Sequence, residues 1–203
     1  MIPDLKIEVA EGKSFVADSA VVAALSDCEG VEAWAGVVED NALVRYGKRQ
    51  VPATIMGVDA NYGQVTGIDS IIVEGCFRPG QCLLGEALAQ QLAVSPSSFV
   101  PNVVFYAPKR KGAVSLAHPE RSFVERVERV GGIFSVQQVE YDANIIVASS
   151  ETARSLFDYA DDEVTSISVR LSPSASARGV AERLQGELPA GLATKTAAMS
   201  DHQ

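Results

Sequence analysis

The stretch that decides the fold is Gln81-Cys82-Leu83-Leu84-Gly85-Glu86-Ala87-Leu88-Ala89-Gln90-Gln91-Leu92-Ala93-Val94. Its first residues are apolar and run into a glycine, which is typical of a short strand that ends in a turn. Leu84, Leu88 and Leu92 then recur every fourth residue, with Ala87 beside them, and this spacing predicts the apolar face of a small helix. The stretch therefore predicts a strand–turn–helix unit.

A further strand is predicted on the C-terminal side of this unit. Val103-Val104-Phe105-Tyr106 is β-branched and aromatic, which favours a strand. Later in the chain, Asp142-Ala143-Asn144-Ile145-Ile146-Val147 leads into the segment from Ser150 to Phe157.

One segment is ambiguous between helix and strand. Phe123, Val124, Val127 and Val130 have the spacing of a helix face, but Gly131-Gly132 disfavours a helix that continues. We expect a strand near 130–136 and leave 121–129 open.

The N-terminal part carries a strand–helix–strand signature. Leu5 to Val9 alternates apolar and charged residues, as in a half-buried strand. Asp18 or Ser19 can cap a helix that Gly30 ends. A β-rich run from 31 to 38 follows, and then a hairpin with Gly47-Lys48 at its turn.

The C-terminal part repeats this signature. Glu163 to Leu171 predicts a strand, Ser172-Pro173 the start of a helix, Pro189 its end, and Leu192 to Thr196 a last strand. Two such units at the two ends of a chain can pair into one split βαβ layer. We therefore predict an α+β fold in which 1–59 and 161–203 form one subdomain and 60–160 is an inserted, mainly-β one.

Composition excludes several classes of function. The chain has 203 residues, a formal net charge of −9 and 47% hydrophobic residues, which suits a folded domain but not a nucleic-acid-binding one. No apolar run approaches the roughly 18–20 residues that span a bilayer. The start at Met1 lacks the features of a signal peptide. Taken alone, these absences favour a cytoplasmic protein.

Residues that could carry catalysis are scarce, so we expect no enzyme and no cofactor. The two histidines, His118 and His202, lie in a loop and next to the last residue. No nucleophile elbow or phosphate-binding loop is present. Aspartates at strand ends, such as Asp142, commonly bond nearby backbone amides. A hydrolase built around Asp142 or His118 is the catalytic alternative.

The three cysteines, Cys28, Cys76 and Cys82, do not have the paired short spacings of a zinc site. Cys76 and Cys82 flank a predicted turn and could be bridged in an oxidising compartment. Two reduced cysteines that pack as small hydrophobic residues are the favoured alternative.

The order of these segments resembles the extracytoplasmic core domain of MacB-like and FtsX-like ABC-transporter permeases. The resemblance rests on the unit at 81–94, the strand at 103–106, the basic loop after it, Gly131-Gly132-Ile133-Phe134-Ser135-Val136, and the segments at 142–147 and 150–157. Among these permeases the chain looks most like the lipoprotein-releasing LolC/LolE type.

The resemblance implies a porter-like subdomain formed by both chain ends and an inserted sabre-like one. It also implies a periplasmic domain of an inner-membrane protein, cut from between two transmembrane helices. The domain would be non-catalytic and would couple cytoplasmic ATP hydrolysis to lipoprotein release. The implied partners are an ABC ATPase subunit, a second permease subunit and a periplasmic lipoprotein carrier. A free-standing periplasmic or secreted module that binds a ligand or peptide is the alternative.

The segment from Pro108 to Arg121 is the predicted partner-binding site. It is basic in an acidic chain and is punctuated by proline and glycine, and long loops on small domains are often functional. In lipoprotein-releasing permeases, the corresponding stretch of one subunit type forms a hook that contacts the carrier. A plain solvated connection is the alternative. The candidate residues are Lys109, Arg110, Lys111, Val114, Leu116, His118 and Arg121.

Overall fold

A computed structural model describes residues 3–110, 117 and 122–196 and shows a mixed α+β fold in which strands dominate. The strands are β1 (Leu5–Val9), β2 (Phe15–Val16), β3 (Val31–Tyr46), β4 (Arg49–Val58), β5 (Ile72–Gly75), β6 (Gln81–Gly85), β7 (Asn102–Pro108), β8 (Phe123–Phe134), β9 (Ile145–Ser149), β10 (Glu163–Val164), β11 (Ser166–Leu171) and β12 (Leu192–Thr196). The helices are α1 (Ser19–Asp27), α2 (Tyr62–Val65), α3 (Glu86–Leu92), α4 (Val139–Asp142), α5 (Ser150–Phe157) and α6 (Ala177–Glu187), with a 3-10 turn at Ile68–Ile71. Within the described ranges, no helix combines the length and apolarity needed to cross a membrane.

The chain folds into two compact units. The first unit contains Met1–Val37, Asp59–Ile68 and Asp161–Gln203, and the second contains Val38–Val58 and Asp69–Ala160. The sequence-based ranges placed 38–58 with the chain ends and 60–68 with the insertion. In the structure 38–58 belongs to the second unit, because β4 pairs there with β9 in parallel, from Thr54 opposite Ile145 to Val58 opposite Ser149.

The first unit contains an antiparallel sheet to which both ends of the chain contribute. Its strands follow the order β12-β1-β11-β3, with only the first half of β3 taking part. Leu5 lies opposite Val169 on one side and opposite Thr196 on the other. The prediction that the N- and C-terminal segments share one sheet is therefore confirmed, and the first and last described strands lie side by side.

Two helices cover the core of the first unit. Asp18 caps α1, since its carboxylate accepts a hydrogen bond from the Val21 amide at 3.1 Å. Helix α6 begins at Ala177, four residues after the predicted start at Pro173, because the Ser176 hydroxyl accepts from the Gly179 amide and caps it there. The core residues include Leu5, Ile7, Val21, Leu25, Ile167, Val169, Val180 and Leu184.

In the second unit six strands pair in a closed ring. The second half of β3 pairs with β4, and the ring continues through β9, β6, β8 and β7 back to β3. Strand β5 adds to β8 outside the ring. The core holds the inward side chains of these strands together with residues of α3 and α5, among them Ile55, Leu84, Leu88, Leu92, Phe105, Ile146, Ala153 and Leu156.

The strand–turn–helix unit at 81–94 forms as predicted, with one correction. Leu84 belongs to β6 and not to the helix, so the buried face of α3 is formed by Leu88, Ala89 and Leu92. The four-residue spacing between Leu84 and Leu88 therefore crosses a strand–helix boundary. Gly85 is required at this boundary, because a Cβ there would overlap the carbonyl oxygen of Asp142.

The ambiguous segment is a strand from Phe123 onward. Strand β8 runs from Phe123 to Phe134, although the valines in its first half have helical spacing. Tertiary pairing overrides that local pattern, since β7 pairs with β8 from Asn102 opposite Arg129 to Pro108 opposite Phe123.

Candidate partner-binding site

The predicted partner-binding loop is the connection between β7 and β8. The hairpin continues one step beyond the two strands, where the Lys109 amide donates to the Ser122 carbonyl at 2.8 Å. Lys109 and Arg110 are exposed. The other five candidate residues lie outside the described residues: Lys111, Val114, Leu116, His118 and Arg121.

Arg110 folds back onto the second unit. Its guanidinium lies over the ring of Tyr159, 4.2 Å from the ring centroid, and Nη1 donates to the Asp158 carbonyl at 3.4 Å. Asp158 and Tyr159 follow directly after α5, so Arg110 attaches the start of the loop to the end of this helix. Lys109 and Arg110, adjacent in sequence, therefore have different surroundings.

Two further residues of β8 contact α5. Arg126 Nε donates to Ser155 Oγ at 2.7 Å, and the Thr152 hydroxyl lies 3.4 Å from both carboxylate oxygens of Glu128. We call the contacts of Arg110, Arg126 and Glu128 with Tyr159, Ser155 and Thr152 the polar seam.

Sequence reasoning did not find the polar seam, although a signal for it exists. Once β8 is known to be a strand, Glu128 must point to the same side as Val130, which is fully buried. A charged residue on the core side of a strand needs a polar partner there. Because 121–129 was left open between helix and strand, the alternation of side chains along a strand could not be used to place Glu128 on the core side.

Burial controls the electrostatics of Glu128. Only 6% of this residue is exposed, and this desolvation raises the pKa of its carboxyl to about 7, while the hydrogen bond from Thr152 acts in the opposite direction. Desolvation also raises the pKa of the neighbouring Cys82 thiol well above its usual range, and the negative charge of Glu128 adds to that effect. Glu128 is thus a buried carboxyl that changes between its neutral and charged forms near neutral pH.

The outer face of the hairpin is partly apolar. Val127 is 63% exposed and Phe123 46% exposed, while Glu128 on the opposite face is buried. Strand β3 extends this face, since Leu43 lies opposite Tyr106 and the Arg45 guanidinium lies 5.1 Å from the centroid of that tyrosine ring. The outer face of the described hairpin therefore carries exposed apolar side chains, whereas its inner face packs on the core and includes the buried Glu128.

The catalytic alternatives gain no support from the described residues. Asp142 is buried and accepts hydrogen bonds from the Val136 and Gln137 amides at 2.8 and 3.1 Å and from the Ser135 hydroxyl at 3.3 Å. It closes a turn, as the sequence predicts for a strand-end aspartate. His118 lies outside the described residues. Among the residues that the structure describes, no group of three or more acidic, histidine or cysteine side chains could hold a metal.

The cysteines lie apart from any such arrangement. Cys28, Cys76 and Cys82 are all free thiols; Cys28 and Cys82 are buried and Cys76 is half-buried. Packing as small hydrophobic residues accounts for Cys28 in the core of the first unit and for Cys82 in the core of the second.

Comparison with known protein families gives a match that covers most of the chain. The model of the MacB-like periplasmic core domain matches residues 6–187. The chain belongs to the family of MacB-like periplasmic core domains. Domains of this family are periplasmic parts of ABC-transporter permeases, so this part of the assignment made from the sequence is confirmed. No curated protein matches the chain.

Solved structures share the fold of this MacB-like domain. The periplasmic region of MacB from Actinobacillus actinomycetemcomitans matches with a TM-score of 0.64 and 13% identity, over 97% of this chain and 90% of that one. The extracellular domain of the noncanonic ABC-type transporter YknZ from Gram-positive bacteria matches with a TM-score of 0.63 and 11% identity, over 95% of this chain and 99% of that one. At these identities the likeness concerns the fold alone.

Proposed function

We propose that this MacB-like domain couples cytoplasmic ATP hydrolysis to substrate movement outside the membrane, and that its substrate process is lipoprotein release from the inner membrane. The observation that carries the coupling role is the pairing of the two chain ends, with Leu5 opposite Thr196. Two adjacent ends can be joined to two membrane helices that move together. A domain held in this way transmits motion without chemistry of its own.

We infer that the first unit is porter-like and the second sabre-like. The strand order β12-β1-β11-β3, with α1 between β1 and β3 and α6 between β11 and β12, supports a split βαβ layer for the first unit. The second unit is inserted into the first along the chain and consists mainly of strands, which supports the sabre-like assignment.

The partners we propose are an ABC ATPase subunit, a second permease subunit and a periplasmic lipoprotein carrier. The carrier would bind the basic loop from Pro108 to Arg121. Exposed cations in a chain of net charge −9 attract an acidic partner and speed its encounter. Lys109 is exposed and suits this role, whereas Arg110 also fastens the loop to the domain.

The test reverses the charge of the loop without touching its attachment. Lys109→Glu/Lys111→Glu in the full-length transporter keeps Arg110 in place. We expect weaker capture of the carrier and slower lipoprotein release, most clearly at low salt because screening weakens such contacts. The measurements are carrier binding at two ionic strengths and lipoprotein release from membranes that contain the transporter.

The matched control is Lys48→Glu/Arg178→Glu, which makes the same change in net charge at two exposed positions in a hairpin turn and on α6. The control should bind and release as the wild type does. Equal behaviour of the two double variants would show that the basic loop is only a connection. A transporter that moves another substrate while releasing no lipoprotein would overturn the substrate assignment alone.

A further inference from the structure

Helix α5 and its C-terminal cap contact β8 and Arg110 at three positions. Thr152 and Ser155 are three residues apart on one side of α5, and the cap residue Asp158 takes part through its backbone carbonyl. Their hairpin partners follow in reverse chain order: Glu128, Arg126 and Arg110. The hairpin therefore contacts α5 from the first turn of the helix to its C-terminal cap.

The N-terminal end of α5 packs on the strand that leads to one passage between the units. Strand β4 ends at Val58, and the chain enters the first unit at Asp59. A Cβ on Gly57 would overlap the Cβ of Ala153 in α5, so the helix lies directly against this backbone. Any shift of α5 thus presses on the last residues of β4.

The C-terminal end of α5 leads to a second passage. Asp158 adopts a left-handed conformation with φ 58°, and the Tyr159 amide then donates to the Arg154 carbonyl at 3.0 Å. Only Ala160 separates this cap from the passage into the first unit at Asp161. Arg110 contacts the two cap residues themselves, through the Asp158 carbonyl and the Tyr159 ring.

We propose that Arg110, Arg126 and Glu128 are positioning residues that join the basic loop to α5, and through α5 to the chain passages at 58–59 and 160–161. The proposal rests on the proposed function in that it takes the basic loop as the partner-binding end of this connection. A partner that binds the loop then changes the stability of the backbone at 58–59 and 160–161, where the chain passes from one unit to the other. The connection uses side-chain contacts, so single substitutions can cut it.

Amide hydrogen exchange on the 203-residue chain tests this connection without any partner. Arg126→Ala removes the 2.7 Å bond to Ser155 and leaves the hairpin ladder in place. We expect faster exchange, by about five- to tenfold, at the Tyr159 amide, and by about two- to fivefold at the Tyr62 amide, which donates to the Asp59 carbonyl. The Val180 amide in α6 reports global opening and should keep its wild-type rate.

The matched control is Arg129→Ala. Arg129 lies on the same strand and is exposed, three residues from Arg126. This variant should leave the rates of Tyr159 and Tyr62 unchanged. Ser155→Ala removes the other partner of the same bond and should reproduce the Arg126→Ala pattern, which guards against an effect of shortening the arginine alone.

Three results would overturn the proposal. Exchange that rises only within β7 and β8 would show that the hairpin moves independently of α5. Unchanged exchange at every amide would show that the polar seam does not stabilise α5. Equal rises in the exchange rate of the Val180 amide in Arg126→Ala and Arg129→Ala would show a general loss of stability. Because no partner is present, each result is separate from a failure of the carrier-binding test, which would leave the connection intact but without its proposed use.

Discussion

Helices α5 and α6 each cover a core, but polar contacts of different kinds fasten them. In α6, Gln185 Nε2 donates to the Leu192 carbonyl at 2.7 Å, its Oε1 accepts from the Thr194 amide at 2.8 Å, and Arg183 donates to the Glu29 carbonyl at 2.8 Å. These partners are all backbone groups. In α5 the side chains of Thr152 and Ser155 meet the side chains of Glu128 and Arg126.

This difference in the type of partner decides how easily the polar contacts of each helix can be broken. A backbone partner is present whatever residue stands at that position, so the polar contacts of α6 depend on the helix side alone. The polar seam depends on both sides, and one of its members, Glu128, changes charge near neutral pH. The polar contacts of α5 can therefore be altered by substitution on either side and by pH, whereas those of α6 change only with substitutions in the helix itself.

The largest expected effect tests whether apolar burial stabilises α5 and α6 to the same extent. Leu184 of α6 and Leu156 of α5 are both completely buried. Leu184→Ala and Leu156→Ala should each lower the free energy of unfolding by about 2–5 kcal/mol, because each substitution leaves a cavity in a packed core. Urea denaturation of the two variants measures this, with the exposed position Val22→Ala as the control. A cost below about 1 kcal/mol for Leu156→Ala alone would mean that the polar seam, and not the core, holds α5.

The second prediction concerns pH. Burial raises the pKa of Glu128 from 4.5 to about 7, so between these values the folded state binds more protons than the unfolded state. The free energy of unfolding should therefore fall as pH rises through this window, by on the order of 2–3 kcal/mol, and should level off above it. Glu128→Gln should remove this slope, since an amide stays neutral, and should make the chain more stable than the wild type at pH 8.

Denaturation curves between pH 4.5 and pH 8 measure the effect. The groups that face Glu128 are Cys82 on β6 and Thr152 on α5, with the apolar Val103 opposite it on β7. Glu125→Gln is the control, because Glu125 lies on the exposed face of the same strand. If the Glu125 and Glu128 variants keep the same slope as the wild type, the carboxyl of Glu128 is not the titrating group.

The smallest expected effect separates two adjacent cations. Arg110→Ala should lower the free energy of unfolding by about 0.5–1 kcal/mol, because the guanidinium leaves the ring of Tyr159. Lys109→Ala should change it by less than about 0.5 kcal/mol, as is usual for an exposed position. Thermal unfolding of both variants in parallel checks this pair. The interpretation of Arg110 as a fastening residue does not survive if Lys109→Ala costs as much.

Much of the fold could be predicted from local patterns. The alternation in Leu5–Val9, the cap at Asp18 and the strand–turn–helix unit at 81–94 each carry their own signal, and each element is present. The pairing of the two chain ends followed from repetition of one signature at both ends. The boundary of α6 was misplaced because Pro173 and Ser176 both suit a helix start, and only the observed bond from Gly179 to Ser176 decides between them.

The candidate site could be predicted only in part. Position and composition singled out the basic loop, but the inward contact of Arg110 depends on Tyr159, which lies 49 positions later and carries no sequence signal of its role. Glu128 was missed because valines at helical spacing hid a strand. In both cases the deciding interactions are long-range, and local periodicity does not contain them.

The sheet to which both ends of the chain contribute has a consequence for biosynthesis. Strand β1 leaves the ribosome before all other strands of this domain, yet its neighbours β11 and β12 lie beyond residue 165. The second unit is complete once Ala160 has emerged, so it can fold while the first unit still lacks the partners of β1. Closing a loop of this length is slow, and until then the edges of β1 stay open to pairing with other chains. The second unit thus folds first, and the first unit, which contains both chain ends, completes its sheet last.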